Sequence, residues 1–323
     1  MISPTAAAGA GAGGSTDHGH QTARVLAEVF ARSRYLPAPP RTMIEHVGGS
    51  GATEESFRRI GIVIAHALAR HGFFDHQDAT IVDLGCGCGR VALGIAHFLP
   101  PAGRYLGFDT WPAGIAWAAK HISSRYPNFT FSVVSDGARL DPRSGARRVL
   151  ARLRSSRLVD MVPATVRSRL RSVAVSTLEH IDPSKDHYEG SQAYALDLPD
   201  ASVDGIIATS VFTHLEYPAA SRYFAELGRV LKDGGRAYIT FFLLDERTRP
   251  FVDALQGEVS TDESGSYMVE GGYVSSYLYP SAVEDLSSAA GLEVVDVERG
   301  SWPAESDGVR PYQDVFVFRR KQR

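Results

Sequence analysis

The sequence predicts a doubly wound α/β sheet. Three observations predict it: short apolar strands alternate with helical segments from residue 79 onward, the first strand runs straight into a glycine-rich turn, and an acid closes the second strand. With 323 residues, 44% of them hydrophobic, the chain can bury one large or two small domains.

The elements come in this order. Residues 1–20 are rich in Ala, Gly, Ser and Thr, without a basic start or a continuous apolar stretch, so they do not read as a signal peptide. Residues 1–23 are expected to form a disordered tail, too poor in large apolar groups to repay ordering. The domain then spans 24–323. RVLAEVFARSRYL (24–36) reads as a helix stopped by PAPP. Thr53 reads as an N-cap followed by Glu54 and Glu55, with Phe57, Ile60, Ile64 and Leu68 at helical spacing and Gly72 as the stop. ATIVDL (79–84), RYLGFD (104–109), FTFSVV (129–134), VDGIIATS (203–210) and RAYITFF (236–242) read as strands. Helices over VALGIAHFL, Ala113–Ser123 and Ala219–Leu231 separate them, and the turn LKDGG introduces the fifth strand. LEVVDVE (292–298) and DVFVFRR (314–320) finish the chain.

One segment breaks the rhythm, at about 137–187. Residues 139–171 hold ten arginines against two acids, Asp141 and Asp160, with a partial apolar face of Leu150, Leu153, Leu158 and Val162. This reads as a helical insertion. Its arginines suit three roles: a solvated helix pair, a lid over a phosphate- or carboxylate-bearing acceptor, or contact with an anionic membrane surface. The net charge of −3 gives no global attraction to nucleic acid, and the insertion carries no interleaved aromatics for base stacking. No apolar run reaches the roughly 18 residues of a membrane span. The two cysteines build no disulfide framework, so a reducing cytoplasm is the expected setting.

Gly85, Gly87 and Gly89 in DLGCGCGR come directly after the first strand. Glycines there let the backbone turn tightly and approach a ligand closely. The dinucleotide pattern needs a glycine where Arg90 stands, and a phosphate loop needs a Gly-Lys-Ser/Thr ending that is absent. Asp109 closes the second strand, where an acid can accept from both hydroxyls of an adenosine ribose; its other reading is a helix N-cap. The Cys-x-Cys spacing of Cys86 and Cys88 matches neither zinc nor thioredoxin-type pairs, so both read as small fillers. If they line the site, alkylating them blocks ligand binding.

IVDLGCGCGR, YLGFD and the run TSVFTHL…ELGRVLKDGGRAYITFF resemble the class I S-adenosylmethionine-dependent methyltransferases, and most of all a bacterial group with an HVGG element and the run SVFTHL. The resemblance covers residues 40–136 and 190–318. It implies a seven-stranded sheet with an antiparallel last strand, so that LEVVDVE and DVFVFRR form a hairpin-like pair. It implies S-adenosylmethionine as cofactor, with Gly85, Cys86 and Gly87 at the methionine end and Asp83 orienting the loop or reaching the amino group through water. Asp109 would hold the ribose, Thr110 and Trp111 would flank the adenine, and Ser210 would face the sulfonium. Gly48 and Gly49 would close over the cofactor. Relatives usually carry an acid at the end of the third strand for the adenine amino group. Ser135 aligns there, so Asp136 takes the role if the strand ends in a bulge; otherwise a backbone carbonyl or water does.

Methyl transfer to a hydroxyl needs alignment, dryness and a proton acceptor. His214, in SVFTHL, is the candidate base; its alternative is to cap or pack the next helix. His187, Tyr188 and Glu189 are second-rank acceptor contacts, and Phe241–Leu244 with the tyrosines of 271–279 are candidate pocket walls. Asp197, Asp200 and Asp204 read as solvated loop acids, leaving no metal site. The expected function is O-methylation of a glycan, glycolipid or secondary metabolite. The alternative is a non-catalytic module of the same fold that docks on phosphate or membrane through the arginines. The oligomeric state is left open.

Overall fold

The computed structural model describes residues 15–134, 196–255, 259–270, 273–304 and 311–322. The insertion at 137–187, Asp136, and His187, Tyr188 and Glu189 lie outside the described residues. Helix α1 runs Ser15–Ser33, so the boundary drawn at residue 23 falls inside a helix. Residues 1–14 lie outside the description.

Helices α2 (Arg41–Gly48) and α3 (Glu54–Arg70) precede the sheet. Thr53 caps α3 as expected: its hydroxyl accepts from Ser56 N, and the Ser56 side chain returns the bond. Then come β1 (Thr80–Leu84), α4 (Arg90–Ile95), β2 (Arg104–Asp109), α5 (Pro112–His121), β3 (Phe129–Val133) and β4 (Val203–Ala208). The 3₁₀ turn Phe212–His214 leads to α6 (Tyr217–Val230) and β5 (Leu231–Leu243). The chain continues with α7 (Arg249–Asp253), β6 (Val259–Asp262), β7 (Gly265–Glu270), β8 (Tyr273–Leu278), α8 (Pro280–Ala289), β9 (Leu292–Glu298) and β10 (Asp314–Arg320).

The first five strands lie parallel in the order β3-β2-β1-β4-β5. β10 joins β5 antiparallel and β9 joins β10 antiparallel, which completes the seven-stranded sheet with its reversed last strand. All five residues of β1 are buried, as befits a central parallel strand covered on both faces. Ile81 and Tyr105 pack toward α3–α5, while Val82, Leu84 and Phe108 pack toward the α6–α8 side around Phe212, Phe224 and Phe241. β5 begins earlier than the expected residue 236. Leu231 pairs with Val203, and a register shift before Gly205 absorbs the LKDGG turn.

Three strands were not expected. The antiparallel set β6-β7-β8 attaches to β5 through two pairs, Phe242↔Tyr277 and Leu243↔Leu278. β5 therefore changes partner along its length: residues 236–241 pair with β10, and the next two pair with β8. Asp314 sits in this fork with its side chain 0% exposed. Its Oδ2 accepts from Leu243 N (3.0 Å) and Trp302 Nε1 (2.5 Å), and its Oδ1 accepts from Gly300 N (3.0 Å). Arg299 Nε lies 3.2 Å from Oδ1.

Asp204 corrects an expectation. It is a strand residue that accepts from Thr80 N and from Lys232 Nζ (both 2.8 Å) rather than a solvated loop acid. Asp200 pairs with Arg229 at 2.7 Å. Among the described residues no helix is long and apolar enough to cross a membrane, and no group of three or more His, Cys, Asp or Glu is placed to hold a metal.

Removing the Asp314 carboxylate strands three donors. Each unpaired buried donor costs about 1–3 kcal/mol. Asp314→Ala is expected to lower the unfolding free energy by about 3 kcal/mol or more, measured by urea denaturation at neutral pH. A loss under about 1 kcal/mol would show that water replaces the carboxylate and that the fork does not depend on it.

Candidate functional site

The turn after β1 takes its shape from its glycines. Gly85, Gly87 and Gly89 have φ of 71°, 56° and 87°, the left-handed region that other residues avoid. Space forbids a side chain as well. A Cβ on Gly85 would stand 2.5 Å from Val211 Cγ2, and one on Gly89 would stand 2.5 Å from Ile122 Cδ1. The amides of Gly85 and Cys86 both donate to Phe108 O, at 2.8 and 3.1 Å, which ties the turn to β2.

Asp109 makes the second tie. Its Oδ2 accepts from Gly87 N at 2.6 Å and its Oδ1 from Trp111 N at 2.8 Å. The N-cap reading is thus half realised: the carboxylate holds the turn that enters α5, but Trp111 is the cap position. Burial raises the Asp109 pKa above the ordinary carboxylate value, against the pull of the Trp111 and Gly87 amides. Each oxygen keeps lone-pair capacity for a ligand hydroxyl. Thr110 beside it is exposed.

Asp83 lies one turn of the pleat from Ile81, on the α3–α5 face, and is 0% exposed. Its Oδ2 accepts from the Tyr105 hydroxyl at 2.5 Å, while its Oδ1 is buried with no hydrogen-bond partner within the protein. Burial pushes its pKa up to about 7, and the Tyr105 hydrogen bond opposes that rise. Trp111 Nε1 is a second buried atom without a partner. A glycine cradle with an orphaned acceptor and an orphaned donor at its edges fits a small ligand with an amine at one end and a heteroaromatic ring at the other.

Helix α2 covers the turn. Val47 packs within 3.0 Å of where a Gly87 Cβ would stand, and its carbonyl accepts from Arg90 at 3.1 Å. His46 stacks on Trp111 with ring centroids 4.1 Å apart. Gly48 ends this helix, and Gly49 comes next at φ 82°.

The thiols turn inward. Cys86 Sγ lies 2.9 Å from where a Gly107 Cβ would stand, and both cysteines are buried. Burial drives the Cys88 pKa up to about 12 and the Cys86 pKa well above its usual value. The expectation that alkylation reports directly on the site therefore needs correction, because neither thiol faces solvent or ionises near neutrality.

Ser210 and His214 lie on the segment that follows β4, which meets the glycine turn at Val211. Ser210 lies just past β4 with φ 59°. His214 ends the 3₁₀ turn, half-buried, with Nδ1 2.7 Å from Val274 O in β8. It does not cap α6, whose N-cap is Glu216. Ser276 of β8 also donates to Leu215 O at 2.6 Å. Beyond this seam an open groove of about 180 Å³ is lined by residues that include Glu216, Tyr217, Asp262, Ser264, Ser266 and Ser276. Of the expected aromatic walls, Phe241 is core, while Phe242 and Tyr277 stack on one another near Trp302. Sequence reasoning missed Tyr105, His46, Val274 and the arm that carries Val274. Tyr105 carried a signal, because it shares a sheet face with Asp83 on the neighbouring strand.

The model of a family described as "Methyltransferase domain" matches residues 20–297. Among solved structures, a protein from Pyrococcus horikoshii OT3 is 18% identical, covers 83% of this chain and 92% of its own, and superposes with a TM-score of 0.48. The Burkholderia thailandensis 1,6-didemethyltoxoflavin-N1-methyltransferase, solved with S-adenosylhomocysteine, is 17% identical over 99% of this chain and 95% of its own (TM-score 0.45). An amino pentose methyltransferase from Micromonospora echinaspora is 12% identical over 89% of this chain and 100% of its own (TM-score 0.47).

Asp83 makes stability fall with rising pH. The unfolded carboxyl loses its proton near pH 4, and the folded one near pH 7. Between those values the native state binds more protons, so each increment of pH costs stability until the folded group ionises. Asp83→Asn keeps an acceptor for Tyr105 and removes the titration. The unfolding free energy of the wild type relative to this variant is expected to drop by roughly 2–3 kcal/mol between pH 5 and pH 8. Urea unfolding at the two pH values checks it; a constant difference would mean Asp83 ionises normally.

Proposed function

The chain belongs to the methyltransferase-domain family, and from that premise we propose that it is an S-adenosylmethionine-dependent methyltransferase acting on a hydroxyl of a glycan, a glycolipid or a secondary metabolite. The observation that carries this reading is the pinned glycine turn, fastened to Asp109 and flanked by the partnerless Oδ1 of Asp83. When bound, S-adenosylmethionine supplies a methyl group on a positively charged sulfur, already activated toward a nucleophile.

The chain's residues divide the remaining work. Gly85, Cys86 and Gly87 offer backbone to the methionine end, and Asp83 orients the loop or serves the amino group through water. Asp109 takes the ribose hydroxyls on the lone pairs that its two amide bonds leave over. Thr110 and Trp111 flank the adenine, whose amino group is assigned to Asp136 if the third strand ends in a bulge and otherwise to a backbone carbonyl or water. Ser210 stands on the sulfonium side. Helix α2, seated on the turn through Val47 and His46, keeps water from the cofactor.

His214 is the base. A carbonyl oxygen only accepts, so the contact with Val274 places the ring proton on Nδ1. The neutral ring then carries its lone pair on Nε2, and that atom takes the proton from the acceptor hydroxyl. The groove beyond the His214–Val274 seam supports a polyhydroxylated acceptor, since it combines carboxylates, hydroxyls and the Tyr217 ring.

Titration calorimetry with S-adenosylmethionine is expected to show binding by the intact protein and at least about tenfold weaker binding after Asp109→Ala. No binding, or unchanged affinity in the variant, would overturn the cofactor reading. Transfer of labelled methyl groups into separated glycan, lipid and small-molecule fractions tests the acceptor class. There His214→Ala is expected to keep cofactor affinity and lose on the order of a hundredfold in turnover. Full turnover in that variant would remove the base role.

A further inference from the structure

Ser210 occupies a conformation that its residue type disfavours. Its φ of 59° is left-handed, as is that of only one other non-glycine among the described residues, Ala201. A strained residue of this kind persists where its surroundings over-determine it, and such residues gather at functional sites.

The surroundings here are specific. Ser210 N donates to Thr240 Oγ1 at 2.8 Å. Having accepted that bond, the Thr240 hydroxyl spends its proton on Gln313 Oε1 at 2.6 Å. The Ser210 hydroxyl donates to the same Oε1 at 3.1 Å. Each hydroxyl has one proton and each is used once, so the network closes without conflict. It joins the end of β4, the body of β5 and the residue before β10.

The chain just past Ser210 takes its position from this network. Val211 lies against the glycine turn, with Cγ2 2.5 Å from where a Gly85 Cβ would stand. His214 comes three residues later, locked to Val274. An extended Ser210 would swing Val211 off the turn and move His214 with it. The strain at a single left-handed residue is comparable to the net worth of one or two hydrogen bonds. The network therefore holds the conformation with little surplus, and losing one member releases it.

We propose that Thr240 and Gln313 are positioning residues that clamp Ser210 in its left-handed conformation and so register the 210–214 segment against the glycine turn. The functional half of this inference rests on the reading that the turn holds S-adenosylmethionine; the clamp itself does not.

Three variants test it. Thr240→Val keeps the side-chain shape and removes both hydrogen bonds, Thr240→Ser keeps the hydroxyl, and Gln313→Ala removes the acceptor that both hydroxyls share. Hydrogen exchange at the Ser210 amide needs no ligand. Thr240→Val is expected to speed it at least about tenfold and to weaken S-adenosylmethionine binding by about tenfold. Thr240→Ser is expected to match the wild type in both. Gln313→Ala, at a half-exposed position, serves as the second lesion and is expected to act in the same direction. Unchanged exchange in both Thr240→Val and Gln313→Ala overturns the clamp. Failure of Thr240→Ser to match the wild type assigns Thr240 to packing and also overturns it. If the wild type binds no S-adenosylmethionine but Thr240→Val still frees the Ser210 amide, the cofactor reading falls and the clamp stands.

Discussion

The two hydrogen bonds accepted by Asp109 are the constraint on which the site depends. One fixes the turn after β1 through Gly87, and the other fixes the turn after β2 through Trp111. Without that shared acceptor, two adjacent loops at the carboxyl edge of a parallel sheet would each have to satisfy its own amides. With it, Trp111 is oriented to receive His46, and α2 settles over the glycines. The carboxylate is held in surroundings that disfavour its charge, and the amides compensate. The same balance recurs at Asp83, where the Tyr105 hydroxyl and the Arg90 charge compensate and one oxygen is left without a hydrogen bond.

Much of this was legible in the sequence, and the reason is physical. Central parallel strands are buried on both faces, so ATIVDL and VDGIIATS stand out as apolar runs, and their alternation with helices marks a doubly wound parallel sheet. The glycine turn was legible because three left-handed positions in five residues demand glycine. The arm β6–β8 was not, because its described faces are mostly serine, threonine and acid, and it joins the sheet by two pairs only. Thr240 and Gln313 were hidden for a different reason. Each acts on a partner brought close by the sheet and distant in the chain, and single-sequence patterns carry no such pairings. The upstream reach of α1 was not legible because residues 15–23, STDHGHQTA, hold no large apolar side chain to set a helical period.

The fork at Asp314 separates two tasks. On one side β10 and β9 close the common sheet. On the other, β8 comes alongside the last two residues of β5 and delivers the Val274 carbonyl to His214 and the Ser276 hydroxyl to Leu215. One buried carboxylate thus decides where the scaffold ends and where the arm that addresses His214 begins.

The inward turn of the thiols has a practical side. Cys86 and Cys88 are the only cysteines in the whole chain, and both are buried as neutral thiols. In chemical terms the folded protein presents no sulfhydryl to a maleimide. A single cysteine placed at a position as open as Tyr35, 83% exposed, would give a unique attachment point for a dye or a tether, with no native residue removed from the glycine turn.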